Sequence, residues 1–322
     1  MERLGQPART ARRRRVDSET AGAHRRHQDR LPRPARRADG KPRLSATEPS
    51  PSAASAAASP QNATKRSRHM NQVKAKLHNG ECAIGAWLSI PSPVTAEIIG
   101  RAGFDYACVD LQHGMVDYAD ALAMYQAIEA GDSVPFARVT WNEPGVIGRM
   151  LDLGAGGVII PMVNNRADAE AAVASCRYAP VGRRSVGPTR VRIGRPDYFD
   201  GADDYVLCVP MIETAEAVDN IDDILDVDGI DAVYVGPSDL AVSMGVGGPG
   251  LHNDHPDFSE ALAAVVASCR RHDVIPGIHT NVDLTARRQE EGFRLMTVLI
   301  DVPTLQGAVG TQLAEARARI TR

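Results

Sequence analysis

The chain predicts a (β/α)8 barrel preceded by a basic tail, and three observations carry that expectation. From Met70 onward, strand-like and helix-like segments alternate eight times over about 250 residues, the usual size of such a barrel. Its strand-like runs are nearly continuous in apolar residues, as suits parallel strands covered by helices on both faces. No Walker A sequence occurs and no GxGxxG turn follows the first strand, whereas a doubly wound sheet would carry a glycine-rich first turn.

The tail comes first. Residues 1–69 carry 17 Lys and Arg against 6 Asp and Glu, which leaves 20 against 34 for the remainder, so the overall charge of -3 conceals two different materials. Arg12 to Arg15, several prolines and the Ala/Ser run between Pro51 and Pro60 leave almost nothing aliphatic to bury, and the segment reads as disordered. A nucleic-acid-binding arm would interleave aromatics with its basic residues, and none are here. A transit peptide would be poor in acids, against Glu2, Asp17, Glu19 and Asp29. A third reading is a dispensable tail, with Met70 as the start of translation. Five scattered cysteines (Cys82, Cys108, Cys176, Cys208, Cys269) lack zinc or disulfide spacing and read as buried thiols of a cytoplasmic protein. No apolar run approaches the roughly 20 residues a membrane span needs.

The barrel elements follow in order. Ala83 to Trp87 reads as a strand and Thr95 to Arg101 as a helix; Tyr106 to Val109 and Tyr118 to Glu129 form the second pair, Pro135 to Arg138 and Gly145 to Leu153 the third. Val158 to Ile160 leads into Ala167 to Cys176. Residues 181–204, rich in glycine, proline and arginine, are too long for an ordinary connection and read as an active-site or interface loop. Tyr205 to Ile212 is an apolar run, after which Glu213-Thr214 opens a helix; Asp231 to Val235 leads into Gly236-Pro237-Ser238-Asp239. Val274 to Ile278 with Leu284 to Glu291, then Leu295 to Ile300 with Thr304 to Arg319, complete eight units.

In a parallel barrel, residues just past the strands' C-termini gather at one face, where the chemistry sits. Glu213 and Asp239 occupy two consecutive strand ends, so two carboxylates can meet at one ion. His113 follows strand two and Arg138 ends strand three. Carboxylate oxygens suit a hard divalent ion, Mg2+ or Mn2+ foremost and Co2+ besides, that keeps positions open for water or substrate. Such an ion can polarise a 2-oxo acid, Arg138 can stabilise the enolate oxygen, and an imidazole, which ordinarily titrates near neutrality, can move the proton. Each acid could instead be a helix N-cap. Asp110 could orient the histidine loop or merely cap it, and Trp87 reads as cavity wall.

The motifs Ile84-Gly-Ala-Trp87, Val109-Asp-Leu-Gln-His-Gly114, Arg138 with Trp141-Asn142, Ile160-Pro-Met-Val163, Arg177-Tyr178 followed by Gly182, Ile212-Glu-Thr214 and Gly236-Pro-Ser-Asp-Leu240 occur in that order. Together, from Met70 to the C-terminus, they resemble the metal-dependent class II pyruvate aldolases acting on 4-hydroxy-2-oxoheptanedioate or 2-dehydro-3-deoxyglucarate, within the phosphoenolpyruvate/pyruvate-binding barrels. The resemblance implies Glu213 and Asp239 as metal ligands, His113 as base, and Arg138 as the group stabilising the transition state. It also implies that the backbone of the Gly236-to-Asp239 turn, through the Ser238 and Asp239 amides, holds the pyruvate carboxylate. Asp152 matches the acid that raises the basicity of the histidine. Since Asp152 precedes strand four and so lies at the barrel's opposite end, the pair is expected between subunits of a homo-oligomer. The family's hexamers agree with that expectation.

Two departures bear on the substrate. Met211 stands where bis-acid aldolases carry Gln, and it cannot donate a hydrogen bond to the pyruvyl unit. His279 ends strand seven where an aliphatic residue is expected, and it could contact the aldehyde half. The expected activity is reversible cleavage of a 4-hydroxy-2-oxo acid into pyruvate, or a close 2-oxo acid, and an aldehyde through a metal-bound enolate. After Met70 the only lysines are Lys74 and Lys76, ahead of the barrel, which argues against a Schiff base. An acyl-CoA lyase of the malyl-CoA or citryl type, and a non-catalytic oxo-acid-binding barrel, are the competing readings. Neither nucleic acid nor membrane is expected as a partner.

Overall fold

Eight parallel strands pair in sequence order and close on themselves in the computed structural model, which describes residues 71–320. They are β1 (Ala83–Leu88), β2 (Tyr106–Asp110), β3 (Val134–Arg138), β4 (Gly157–Ile160), β5 (Leu207–Ile212), β6 (Ala232–Val235), β7 (Ile275–His279) and β8 (Leu295–Ile300). Helix α1 (Gln72–His78) precedes β1. Helices α2 (Pro93–Gly100), α3 (Tyr118–Glu129), α4 (Pro144–Leu153) and α5 (Arg166–Cys176) follow the first four strands. Between α5 and β5 lie α6 (Val191–Gly194) and α7 (Tyr198–Tyr205). After β5 come α8 (Ala215–Asp219) and α9 (Ile221–Leu225), and after β6 α10 (Pro237–Ser243) and α11 (Pro256–Arg271). Helix α12 (Thr285–Glu291) follows β7, and α13 (Asp301–Arg319) follows β8. The expected (β/α)8 barrel is therefore present. The expectations for residues 1–69 fall outside the described residues.

The strands read as apolar throughout because both of their faces are buried. One set of alternate residues, including Trp87, Cys108, Phe136, Val209, Met211 and Tyr234, packs inside the barrel. The other, including Leu88, Val109, Ala137, Ile160, Cys208, Ile212 and Val235, packs against the helices with Ile99, Met124, Tyr125, Ile147 and Leu262. Helix boundaries follow local chemistry: Asp117 and Asp120 form a reciprocal capping box at α3, and Pro144 opens α4, which Gly154 closes at φ 109°. At the strands' N-terminal ends, Lys74 lies 2.7 Å from Asp231 and Arg177 lies 2.6 Å from the same carboxylate.

Two expectations change. Residues 181–204 connect a helix to the next strand, so they sit at the N-terminal end of the barrel and carry α6 and most of α7; the segment is not this chain's own active-site loop. Its Arg190, Val191, Ile193 and Arg195 instead line a cavity of about 670 Å³ at that end. The eighth helix also differs from a covering helix: α13 is exposed from Pro303 onward, including Leu305, Val309 and Leu313. Among the described residues no helix is long and apolar enough to cross a membrane.

Candidate active site

The side-chain period of two along a strand decides what enters the C-terminal mouth. Counting from the inward residues already named, the last inward position is Trp87 on β1, Asp110 on β2, Arg138 on β3 and His279 on β7. One further step along β5 and β6 brings in Glu213 and Gly236. Strand register sets these side by side: Asp110 pairs with Arg138, and Ile212 with Val235. Trp87, His113, Arg138, Met211, Gly236, Ser238, Asp239 and His279 line one cavity of about 270 Å³, together with Asp110, Ser89, Pro237, Leu251 and Ile300.

Arg138 and Asp110 form a buried two-point pair, Nε to Oδ1 at 2.8 Å and Nη2 to Oδ2 at 2.6 Å. The same Oδ1 accepts from the backbone N–H of Gln112 at 3.0 Å and of His113 at 3.3 Å. Asp110 thus both caps the histidine loop and fixes the guanidinium. Burial pushes its carboxyl up, but the bonds from Arg138 and the Trp87 indole outweigh this and hold it below the ordinary carboxylate range. Gly114 lets that loop fold tightly, because a Cβ there would lie 2.2 Å from the Asp110 carbonyl oxygen.

Glu213 is buried, 3 % exposed, and its Oε1 accepts from the Met162 N–H at 2.8 Å. Met162 aims that N–H from a left-handed backbone, φ 56°, an uncommon conformation for methionine. Burial raises the Glu213 pKa, the Met162 bond opposes this, and the Asp239 carboxylate raises it further. Asp239 itself stands exposed in the first turn of α10. At Gly236 an added Cβ would come 2.7 Å from Glu213 Oε2, so the missing side chain leaves a cradle beside the carboxylate. Carboxylate oxygens at the ends of neighbouring strands, one of them beside a position with no side chain, are the donor type that a hard divalent ion takes. Among the described residues no group of three or more His, Cys, Asp or Glu could hold a metal, so water or substrate would have to complete the coordination.

His279 closes the far side of the cavity. Its ring meets Trp87 edge-on at 4.9 Å, its Nδ1 lies 3.4 Å from the Tyr234 hydroxyl, and its Nε2 is buried with no hydrogen-bond partner. Of the candidate residues, Glu213 borders Gly236 without itself lining this cavity, and Asp152 lies away from it. The latter lies on the last turn of α4, paired with Arg184 Nη2 at 2.7 Å. Contributors that sequence reading passed over are Ser89, Leu251 and Ile300 in the wall, and Asp301 behind it. The Asp301 carboxylate accepts from the N–H groups of Ser89 and Ile90 at 2.9–3.0 Å. Their positions just past β1 and at the end of β8 were the available signal.

A closed parallel barrel with carboxylates, an anchored arginine and a histidine past its C-terminal strand ends suits an enzyme of the carbon–carbon lyase class. The HpcH/HpaI aldolase/citrate lyase family matches residues 83–307, and the chain belongs to that family. It is 38 % identical over 252 residues to the hydroxypyruvate/pyruvate aldolase of Rhizorhabdus wittichii, covering 77 % of this chain and 100 % of that one. It is 36 % identical over 256 residues to the 4-hydroxy-2-oxo-heptane-1,7-dioate aldolase of Escherichia coli, covering 78 % and 97 % respectively. The crystal structure of a family protein from Burkholderia cenocepacia superposes with a TM-score of 0.72 at 34 % identity, over 77 % of this chain and all of that one.

Proposed function

We propose that the protein is a divalent-metal-dependent aldolase that reversibly cleaves a 4-hydroxy-2-oxo acid into pyruvate, or a close 2-oxo acid, and an aldehyde. The observation that carries this reading is the placement of Glu213 and Asp239 just past the neighbouring strands β5 and β6, at the end of the barrel that holds the Arg138–Asp110 pair. Glu213 and Asp239 would hold the ion, Mg2+ or Mn2+ in the first instance. When bound, such an ion supplies a Lewis acid that draws electron density from a 2-oxo group.

The chain's own residues do the rest. The first turn of a helix has amides without intrahelical partners, and those of Ser238 and Asp239 would hold the substrate carboxylate. Gly236 keeps that turn close to the bound acid. Trp87 walls the cavity, Met211 offers it only a thioether, and His279 faces the aldehyde half. His113 takes the proton from the C4 hydroxyl as the C3–C4 bond breaks, and the bonding electrons move onto the 2-oxo group. Arg138, with Nε and Nη2 committed to Asp110, directs its remaining donors at the oxygen that gains charge. Protonation at C3 then releases the oxo acid. Among the described residues the lysines are Lys74 and Lys76, the first paired with Asp231 and the second with Asp105; neither can form a Schiff base at this mouth.

The protein acts as a homo-oligomer, a hexamer in the simplest case, in which Asp152 of the partner subunit approaches His113. Two features support this: α13 displays Leu305, Val309 and Leu313 along one side, and α2 displays Val94 and Ile98. The free thiols of all five cysteines, four of them buried, support a cytoplasmic location.

Pyruvate release from 4-hydroxy-2-oxoheptanedioate, followed with lactate dehydrogenase in the absence of any CoA ester, tests the reading. Activity abolished by EDTA and restored by Mg2+ or Mn2+ is expected. Turnover only with acyl-CoA substrates would replace it with the acyl-CoA lyase reading.

A further inference from the structure

The cavity wall contains an acceptor that the cleavage chemistry does not use. His279 lines the mouth, and its Nε2 is buried with no hydrogen-bond partner among the described residues. What it can bind depends on which ring nitrogen carries the proton, and a chain of hydroxyls behind the ring decides that. Tyr234 donates its hydroxyl proton to Thr297 Oγ1 at 2.7 Å, and the same Oγ1 meets the Tyr106 hydroxyl at 2.9 Å. With its single proton spent there, Tyr234 can only accept at its 3.4 Å approach to His279 Nδ1. Nδ1 therefore carries the hydrogen and Nε2 presents a lone pair. Burial, together with the charge of Arg138, pushes the imidazole pKa down to about 4, so the ring stays neutral at ordinary pH.

We propose that His279 selects a hydroxyl: its Nε2 accepts a hydrogen bond from a hydroxyl group on the aldehyde half of the substrate. The site thereby favours a hydroxyaldehyde over an alkyl or carboxylated one. A carboxylate would set lone pairs against a lone pair, and the nearest guanidinium, Arg138, is already engaged by Asp110. An alkyl group would leave a buried acceptor unsatisfied, which a site built for hydrogen bonding discriminates against. Tyr234 is a positioning residue here, since it acts only through the tautomer of the imidazole. This inference rests on the aldolase reading above and specifies its acceptor.

The test uses the full chain with Mn2+ and pyruvate. Specificity constants are measured for glycolaldehyde, its isostere propanal, and succinic semialdehyde, in wild type, His279→Leu and Tyr234→Phe. The expected result is a wild-type preference for glycolaldehyde, with the glycolaldehyde-to-propanal ratio falling roughly 10–100-fold in His279→Leu and by a smaller factor in Tyr234→Phe. A wild type that prefers propanal or succinic semialdehyde overturns the inference, as does a ratio unchanged within about twofold in both folded variants. If His279→Leu fails to fold, the wild-type preference and the Tyr234→Phe ratio decide. Deuterium exchange at C3 of pyruvate needs no aldehyde and separates the two levels. Its absence in wild type removes the aldolase reading and this inference together, whereas exchange without hydroxyl preference removes the inference alone.

Discussion

Replacing Gly236 with alanine should weaken divalent-metal binding while leaving the barrel folded. The new Cβ would stand 2.7 Å from Glu213 Oε2 and 3.1 Å from both Glu213 Cβ and Met211 Cε, at least about 0.5 Å inside van der Waals contact. Relief must come from a neighbour. Met211 has flexible torsions and can give way, but Glu213 is held by the 2.8 Å bond from Met162 and is packed on its other sides. Either the carboxylate rotates away from Asp239 or the β6–α10 turn shifts outward; both separate the two acids. Overpacking of this kind costs about 1–3 kcal/mol. If half or more of that, about 0.5–3 kcal/mol, falls on the bound state, metal affinity drops between roughly 2-fold and 150-fold. Isothermal titration with Mn2+, beside circular dichroism to verify the fold, measures it. A folded Gly236→Ala protein that binds Mn2+ as tightly as wild type would refute the reasoning, because the cradle would then have no bearing on the ligand.

Three further outcomes are expected. Burial lifts the folded-state pKa of Glu213 above its unfolded value, so in metal-free protein its contribution to stability is complete below the ordinary Glu range and is lost as pH rises through the raised value. The Tm advantage of Glu213→Gln over wild type in EDTA should therefore grow with pH, and parallel curves would contradict this. Asp110→Asn leaves Arg138, 9 % exposed, without its counter-charge and should cost about 3–5 kcal/mol in urea unfolding; a loss under about 1 kcal/mol would mean the pair is not buried as described. If Asp152 serves a neighbour's His113, inactive His113→Ala and Asp152→Ala proteins, refolded together in equal amounts, should regain about a quarter of wild-type sites, read as pyruvate release. No recovery despite mixed oligomers would place Asp152 outside the site.

What could be read from the sequence was whatever is local to one strand and its end. Apolar runs marked the strands, and the acids, histidine and arginine after them marked the mouth, because alternation carries a strand's face past its last residue. What depends on two strands at once stayed hidden. The Asp110–Arg138 pair needs the β2–β3 register, and the Tyr234–Thr297–His279 chain needs three strands in register. Met162 donates to Glu213 only because its backbone is left-handed, and a methionine carries no mark of that. Of the two readings of residues 181–204, the active-site loop fails because the segment enters a strand, and α6 and α7 were hidden because they are short and flanked by glycines and prolines. Whether a loop leaves a strand or enters one decides its face. For α13 the helix itself was legible, but which surface it covers is not a local property.

The charges around the mouth also argue for the valence of the ion. Asp110 and Arg138 neutralise each other through two parallel bonds, while Arg138 keeps its other donors. That leaves Glu213, buried, and Asp239, exposed, neither of them in an ion pair among the described residues, and the Asp239 carboxylate adds to the burial that raises the Glu213 pKa. A buried carboxylate in that position either binds a proton or finds a cation. A proton would neutralise only one of the pair. A divalent ion held by Glu213 and Asp239 would offset both charges and so reduce the repulsion of an anionic substrate. The choice of a divalent ion thus rests on the two acids of the chain itself, independently of which aldehyde the His279 wall accepts.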